Sequence, residues 1–166
     1  MRLRLSALAA LLLLVGCDSS SPEALVNISG TYRLAVLTFN PSAASVADAN
    51  IASKLNTSGT TLQVFGDDDE ALFTVPFLAG DTRRINLNVR ANDTRATFTA
   101  ISGEDRDDLE DLLLPSDFAL DYSGSTPSTL TGTYELRGVN LDAFDRDAYQ
   151  GLTSVDGTLT IRFNRQ

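Results

Sequence analysis

The chain of 166 residues has no histidine and no tryptophan, and it contains a single cysteine and a single lysine. Without histidine there is no imidazole base that titrates near neutral pH, which excludes Ser-His-Asp and Cys-His nucleophilic sites as well as histidine-based zinc sites. One cysteine forms neither an intrachain disulfide nor a thiolate metal cluster. We therefore expect no catalytic residues, no metal site and no cofactor, and we interpret the protein as a non-enzyme.

Basic side chains are also few, since 13 Lys and Arg stand against 22 Asp and Glu for a formal charge of −9. An acidic protein repels phosphate backbones, so we expect no nucleic-acid partner. Two acidic runs, at 67–70 and 104–108, offer oxygen ligands that suit calcium, but neither has the spacing of a known calcium loop. Nothing in the sequence indicates that two carboxylates converge as the catalytic pair of a glycosidase would. We interpret both runs as solvated turn and helix residues.

The longest hydrophobic run is short and lies at the N-terminus. Arg2 and Arg4 lead into a largely apolar run of 11 residues at 5–15. A membrane-spanning helix needs about 20 apolar residues, so the run is typical of a signal peptide rather than an anchor. The next motif, Leu14-Val15-Gly16-Cys17, resembles the lipobox of bacterial lipoproteins. The alternative is an ordinary secretory signal, which would leave Cys17 as a free thiol in an oxidising compartment.

The lipobox resemblance implies that Cys17 becomes the lipidated first residue of the mature protein, exported across the inner membrane and held in the cell envelope by acyl chains. The membrane leaflet stays open. The chain then divides into a signal peptide at 1–16, the lipidated cysteine with a polar tether at 17–26, and one domain at 27–166. Removing the signal peptide deletes two Arg and no acid, so the formal charge falls from −9 to −11.

Beyond the tether, apolar and polar residues alternate with period two, which is the pattern of half-buried strands. The alternation is clearest at 84–90, where Ile85, Leu87 and Val89 are separated by polar residues. Eight segments are predicted as strands, namely 28–39, 60–65, 71–78, 84–90, 95–100, 118–122, 129–139 and 158–163. The sequence therefore predicts an all-β domain.

The connections alternate between two kinds. Short polar turns are expected at 66–70, 91–93 and 123–128, and long connections with helix signals at 40–56, 103–115 and 140–152. The signals include Asn40-Pro41, Ser102 followed by acidic residues, and Asn140 or Asp142 as a cap. In an up-and-down barrel, alternate connections lie at the same end. We therefore predict an eight-stranded up-and-down antiparallel barrel with short helices in the connections at one end.

The start and the end of the predicted barrel carry a family resemblance. Gly30-Thr31-Tyr32 opens the first strand, and Arg162 lies on the last. This arrangement is similar to the lipocalin-type (calycin) barrels and the lipocalin-like domains of bacterial lipoproteins, in which a Gly-x-Trp motif opens strand one and its Trp closes the barrel floor under an Arg. The resemblance implies that Tyr32 and Arg162 take those places, although this chain has no tryptophan.

Lipocalins bind small apolar molecules inside the barrel, and the resemblance implies the same function here. The candidate ligand-binding residues are inward-facing aromatics: Tyr32, Phe73, Phe77, Phe98, Tyr122 and Tyr134. The alternative is that these side chains fill the interior, because an eight-stranded barrel is at the size where either outcome occurs. A filled barrel would be a structural or protein-interaction module. The expected partners are the membrane, through the N-terminal lipid, and a small apolar ligand in the first case. A protein partner stays open.

Overall fold

The computed structural model describes residues 27–66 and 69–166. The signal peptide, Cys17 and the tether lie outside the described residues, so the predictions made for them stay predictions. Within the described part, no helix has both the length and the apolar character needed to cross a membrane.

One antiparallel sheet closes on itself to form the domain. Its strands are β1 (Gly30–Pro41), β2 (Ala49–Asn50), β3 (Thr61–Val64), β4 (Glu70–Pro76), β5 (Thr82–Ala91), β6 (Arg95–Ala100), β7 (Asp117–Asp121), β8 (Thr129–Val139) and β9 (Val155–Arg165). From β3 to β9 each strand pairs with the next, and β1 pairs with both β3 and β9. The two residues of β2 only extend the edge of β1 beyond β3. The fold is thus the predicted eight-stranded up-and-down barrel, and each predicted strand has a counterpart.

The connections contain a 3-10 helix (Ile51–Lys54), α1 (Gly103–Glu110), α2 (Leu141–Phe144) and α3 (Arg146–Tyr149). The start of α1 is confirmed at Ser102, whose side-chain oxygen accepts the backbone N–H of Asp105 at 3.1 Å. In return, the Asp105 carboxylate accepts the backbone N–H of Ser102 at 3.0 Å. This reciprocal pair satisfies two N–H groups that the first turn would otherwise leave unpaired.

The helix predicted from Asn40-Pro41 is wrong. Both residues belong to β1, where Asn40 pairs with Thr158 and Pro41 with Gly157 of β9. The long ladder to β9 overrides the local capping signal, and the connection forms only the four-residue 3-10 helix. The third predicted helix is split in two, because Asn140 caps α2 and Asp145 caps α3.

The helical connections meet at one end of the barrel, as predicted. The Tyr149 hydroxyl donates to the Asp48 carbonyl at 2.8 Å, and the Lys54 ammonium lies 3.3 Å from the Asp145 carboxylate. We call this end, made of residues 42–60, 77–81, 101–116 and 140–154, the helical rim. The opposite end, made of residues 65–66, 69, 92–94 and 122–128, is the turn rim. The chain enters there, since the Asn27 N–H donates to the Ser125 carbonyl at 3.0 Å.

The interior of the barrel is filled by side chains. Five aromatic residues have no accessible surface: Tyr32, Phe39, Phe73, Phe98 and Phe163. The rings of Phe73 and Phe163 meet edge to face with centroids 5.6 Å apart, and those of Phe98 and Phe118 stack at 5.3 Å. A cavity large enough for water would leave accessible surface on the side chains that line it. The described core is therefore close-packed, as protein interiors generally are.

Candidate functional site

The six predicted ligand-binding residues do not surround one cavity. Tyr32, Phe73 and Phe98 are fully buried in the packed core. Tyr122 is buried near the turn rim, where its hydroxyl donates to the carbonyl of Asn92. The remaining two are half-buried and reach separate surfaces. Phe77 lies in the helical rim, and Tyr134 lies between β7 and β8.

Tyr32 is buried near the turn rim, and the cation over its ring is Arg165 rather than Arg162, the residue that the resemblance implied. The guanidinium carbon of Arg165 lies 5.6 Å from the centroid of the Tyr32 ring, whereas Arg162 is exposed. The alternation of β9 explains why Arg162 does not reach Tyr32. Ile161 and Phe163 point inward, so Arg162 between them must point outward. The Tyr32 hydroxyl donates to the Ile28 carbonyl at 2.9 Å. Burial raises the pKa of this hydroxyl, although the charge of Arg165 opposes the rise.

A cleft of about 280 Å³ lies in the helical rim. Its apolar lining comes from several connections and includes Ile51, Leu55, Phe77, Leu112 and Phe144. Those residues come from the connections after β1, β4, β6 and β8, so the cleft exists only because the long connections meet at one end. No single segment of the sequence carries a signal for it.

Two cations flank this cleft, and both are already paired. The Lys54 ammonium lies 4.2 Å from the centroid of the Phe144 ring and 3.3 Å from the Asp145 carboxylate. Arg83 bonds to Asp111 at 2.6 Å across the cleft. A neutralised cation has little attraction left for an anionic ligand. The ion pairs of Lys54 with Asp145 and of Arg83 with Asp111 therefore hold neighbouring parts of the helical rim together.

The second surface feature is the interrupted pairing of β7 and β8, which we call the seam. Only one residue pair joins the two strands, Asp121 with Thr131. If the register continued, Ala119 would lie opposite Thr133. Instead, the carbonyl of Ala119 accepts a hydrogen bond from the hydroxyl of Tyr134 at 2.5 Å. A side chain thus takes the acceptor that a backbone N–H would use in a regular ladder.

Gly132 makes this arrangement possible. The ring of Tyr134 folds back over Gly132, and a Cβ atom on Gly132 would lie only 2.3 Å from the Tyr134 hydroxyl oxygen. Burial raises the pKa of that hydroxyl far above its usual range, so Tyr134 is a neutral donor at any physiological pH. The sequence signal for this arrangement is a glycine two residues before a tyrosine on the same face of a strand.

The outer side of the seam is a polar cavity of about 500 Å³. It is lined by Arg95, Thr97, Asp117, Ala119, Asp121, Thr131, Gly132, Thr133 and Tyr134. Arg95 is paired with Asp121 at 2.6 Å, which leaves Asp117 as the carboxylate with no ion pair among the described residues of this lining. The cavity therefore combines hydroxyl groups, one free negative charge and the edge of a tyrosine ring.

The acidic runs do not form a compact ligand set. Within 27–66 and 69–166, no three Asp, Glu or Cys side chains lie close enough to hold a metal ion. Part of the run at 67–70 lies outside the described residues, and the run at 104–108 belongs to α1. Besides the helical-rim cleft and the seam, the barrel presents a third and larger surface cavity of about 660 Å³, lined mainly by residues of β5 and β6. Comparisons with protein-family models, curated proteins and solved structures found no match to this chain.

Proposed function

We propose that the protein is a lipid-anchored lipoprotein of the bacterial cell envelope whose barrel acts as a protein-interaction module through its outer surface. The anchor follows from the N-terminal sequence, in which a basic start, a short apolar run and Cys17 stand in the order that export and lipidation require. Acyl chains on Cys17 would supply the multiple-chain attachment that holds a protein stably at a membrane.

The packed interior is the observation that favours a protein-interaction module over a carrier of small molecules. Sites for small molecules are generally concave, mostly apolar and about 300–1,000 Å³ in volume. Here the inward aromatic side chains of Tyr32, Phe73 and Phe98 have no accessible surface and belong to one continuous core cluster. The cavity of about 500 Å³ on the outer side of the seam is polar and open to solvent. Such a surface suits contact with another macromolecule.

The entry of the chain at the turn rim supports an orientation for the anchored protein. Asn27 is fixed to Ser125 by a hydrogen bond of 3.0 Å, and ten residues lead back from Asn27 to Cys17. A fully extended segment of that length spans at most about 36 Å. The turn rim would then face the membrane at close range, and the helical rim would face away from it.

Native mass spectrometry of the protein extracted from its own membranes tests the proposal. The expected species is residues 17–166 with acyl chains on Cys17 and with no bound small molecule. Cys17→Ser is the control, and it should stay unprocessed or leave the membrane fraction. A stoichiometric apolar molecule retained by the wild-type protein would instead support ligand carriage. An unmodified Cys17 would refute the anchor.

A further inference from the structure

The outward side chains of β5, β6 and β7 lie in rows that run across the barrel wall. The strand register aligns two such rows, Arg90-Thr97-Ala119 and, nearer the helical rim, Asn88-Thr99-Asp117. Neighbouring strands are about 4.8 Å apart, and alternate residues of one strand are about 6.7 Å apart. The six side chains therefore share one small patch of the outer face.

This patch is concave, and two of the surface cavities meet on it. The cavity of about 500 Å³ is lined by the outer faces of β6, β7 and β8, and the short side chain of Ala119 contributes to its depth. The cavity of about 660 Å³ is lined mainly by the outer faces of β5 and β6. Thr97 and Asp117 line both cavities. The two are therefore parts of one depression across the barrel wall from β5 to β8, which we call the outer groove.

The outer groove offers both hydrogen-bond donors and acceptors, and its charges nearly balance. Its lining includes the carboxylates of Asp69, Asp117 and Asp121 and the guanidinium groups of Arg90 and Arg95. Arg95 and Asp121 neutralise each other at 2.6 Å. Among the described residues, neither Asp117 nor Arg90 belongs to an ion pair. One acceptor and one donor group are thus available to a ligand, with threonine hydroxyls between them.

A neutral chain of sugar rings has the chemistry that matches this lining. Every sugar hydroxyl both donates and accepts, so one chain can bond to carboxylate, guanidinium, amide and hydroxyl groups in the same groove. The near balance of charge disfavours a strongly anionic or cationic ligand, and the polar lining disfavours an apolar one. The half-buried Ala119 and Tyr134 add a small apolar surface for the C–H groups of a ring. Thr, Asn and Asp side chains are short, so ordering them on binding costs little entropy.

We propose that the outer groove binds a neutral oligosaccharide. The Asp117 carboxylate accepts hydrogen bonds from sugar hydroxyls near the middle of the groove, and the Arg90 guanidinium donates to the chain at the β5 end. The four strands span three gaps of about 4.8 Å, or about 14 Å, which is longer than a single sugar ring. The groove therefore takes several linked rings. This inference goes beyond the proposed function, because the ligand is not a protein and the groove does not depend on the state of Cys17.

An NMR titration of the 15N-labelled full chain, in a detergent without a sugar headgroup, tests the site. The probes are three neutral tetrasaccharides: cellotetraose, chitotetraose and maltotetraose. We expect at least one to bind with a dissociation constant of about 1 mM or less and to shift amides around Thr97 and Asp117. Its monosaccharide should bind at least about tenfold more weakly, because one ring contacts only part of the groove. The glucosamine tetramer, which carries an ammonium in place of each 2-hydroxyl of cellotetraose, is the charge control and should bind no more tightly at physiological salt.

Two variants of the groove and one matched control locate the binding. Asp117→Asn removes the charged acceptor, and Arg90→Met keeps the apolar stem but removes the donors, so each should weaken the tetrasaccharide by about tenfold. Arg84→Met is the control, since Arg84 is exposed on the same strand as Arg90 and lines neither cavity. It should leave the affinity unchanged. All three side chains are exposed, so the variants should keep the fold.

Four results would overturn the proposal. They are no shift with any of the three tetrasaccharides at about 10 mM, shifts that map to the helical rim, tighter binding of the glucosamine tetramer at physiological salt, and unchanged affinity in both groove variants. The third result would identify the groove as a surface for cations instead. A groove that ignored sugars would leave acylation of Cys17 and the packed interior untouched, so this failure is distinct from failure of the proposed function.

Discussion

The guanidinium of Arg165 covers the ring of Tyr32 at 5.6 Å and thereby joins the last strand of the barrel to the first. The same side chain donates to the carbonyl of Pro127 at 3.4 Å, so it also holds the turn between β7 and β8. Gly30 leaves room for it, since a Cβ atom there would lie 3.0 Å from the Arg165 Nη2 atom. Arg165 therefore closes the turn rim by linking β9 to β1 and to the turn between β7 and β8.

Arg165→Met tests this closure, because methionine keeps the apolar stem and removes the charge and the donors. We expect a loss of about 1–2 kcal/mol in the free energy of unfolding, from the cation-π contact and the hydrogen bonds together. Arg162→Met is the matched control on the exposed face of the same strand and should change stability by less than about 0.5 kcal/mol. Urea denaturation of the two variants measures the change in the free energy of unfolding. An equal decrease for both variants would contradict the closing role of Arg165.

The packed core predicts a sharp contrast between neighbouring residues of β6. Phe98 has no accessible surface and stacks on Phe118, so Phe98→Ala should cost about 3–5 kcal/mol. Thr97 points outward from the next position, and Thr97→Ala should cost about 0.5 kcal/mol or less. Thermal and urea unfolding would measure both. Similar costs at the two positions would mean that the barrel interior is not packed as described.

Gly132 and Tyr134 should be coupled in stability. Gly132→Ala places a methyl group against the Tyr134 ring and should cost about 1–3 kcal/mol through overpacking and loss of the hydroxyl bond to Ala119. In a Tyr134→Ala background the same substitution meets no ring, so its cost should fall by about 1 kcal/mol or more. A double-mutant cycle measured by urea unfolding gives the coupling. Additive effects would show that the ring does not occupy the space over Gly132.

Asp105 links the start of α1 to β5 and should make stability depend on pH. Its carboxylate accepts the backbone N–H of Asn86 at 2.7 Å and that of Ser102 at 3.0 Å. Burial alone would raise the pKa of Asp105, but the hydrogen bonds from Ser102 and Asn86 outweigh it and lower the pKa. A carboxyl group with a lowered folded-state pKa stabilises the protein above its unfolded-state value of about 3.9, and this stabilisation is lost as the pH falls through the folded-state value.

Asp105→Asn should therefore cost about 1–3 kcal/mol at pH 7, and the difference from wild type should shrink below about pH 4. Asp107→Asn, on the exposed side of the same helix, serves as the control and should stay within about 0.5 kcal/mol of wild type. Unfolding measured from pH 7 down to pH 3 tests the expectation. A difference that grows as the pH falls would contradict the assigned direction of the Asp105 pKa.

The strands could be predicted because apolar and polar residues alternate within each of them. In β5, for example, the buried Ile85, Leu87 and Val89 are separated by exposed polar residues. The helix expected after Asn40-Pro41 failed because pairing with β9 is a long-range interaction with no local signature. The alternation of β9 predicts that Arg162 points outward between Ile161 and Phe163, against what the family resemblance implies.

The seam could not have been predicted in this way. It depends on β7 being five residues long opposite the eleven of β8, and on the Tyr134 hydroxyl reaching the Ala119 carbonyl 15 residues away. Whether two strands pair along their full length is decided by the geometry of the closed barrel, not by the pattern of either strand. Only Gly132, placed two residues before Tyr134, marked the position where a ring could fold back.

The long ladder between β1 and β9 has a mechanical consequence. Nine residue pairs join the strands, from Tyr32 with Arg165 to Pro41 with Gly157. A pull between Asn27 and Ser154, the residue before β9, shears the two strands past each other and loads their hydrogen bonds in parallel, so many must break at once. A pull on Asn27 and Gln166 together starts at one end of the ladder and breaks the bonds in succession. The barrel should therefore resist force along its axis far better than force that peels its two termini apart.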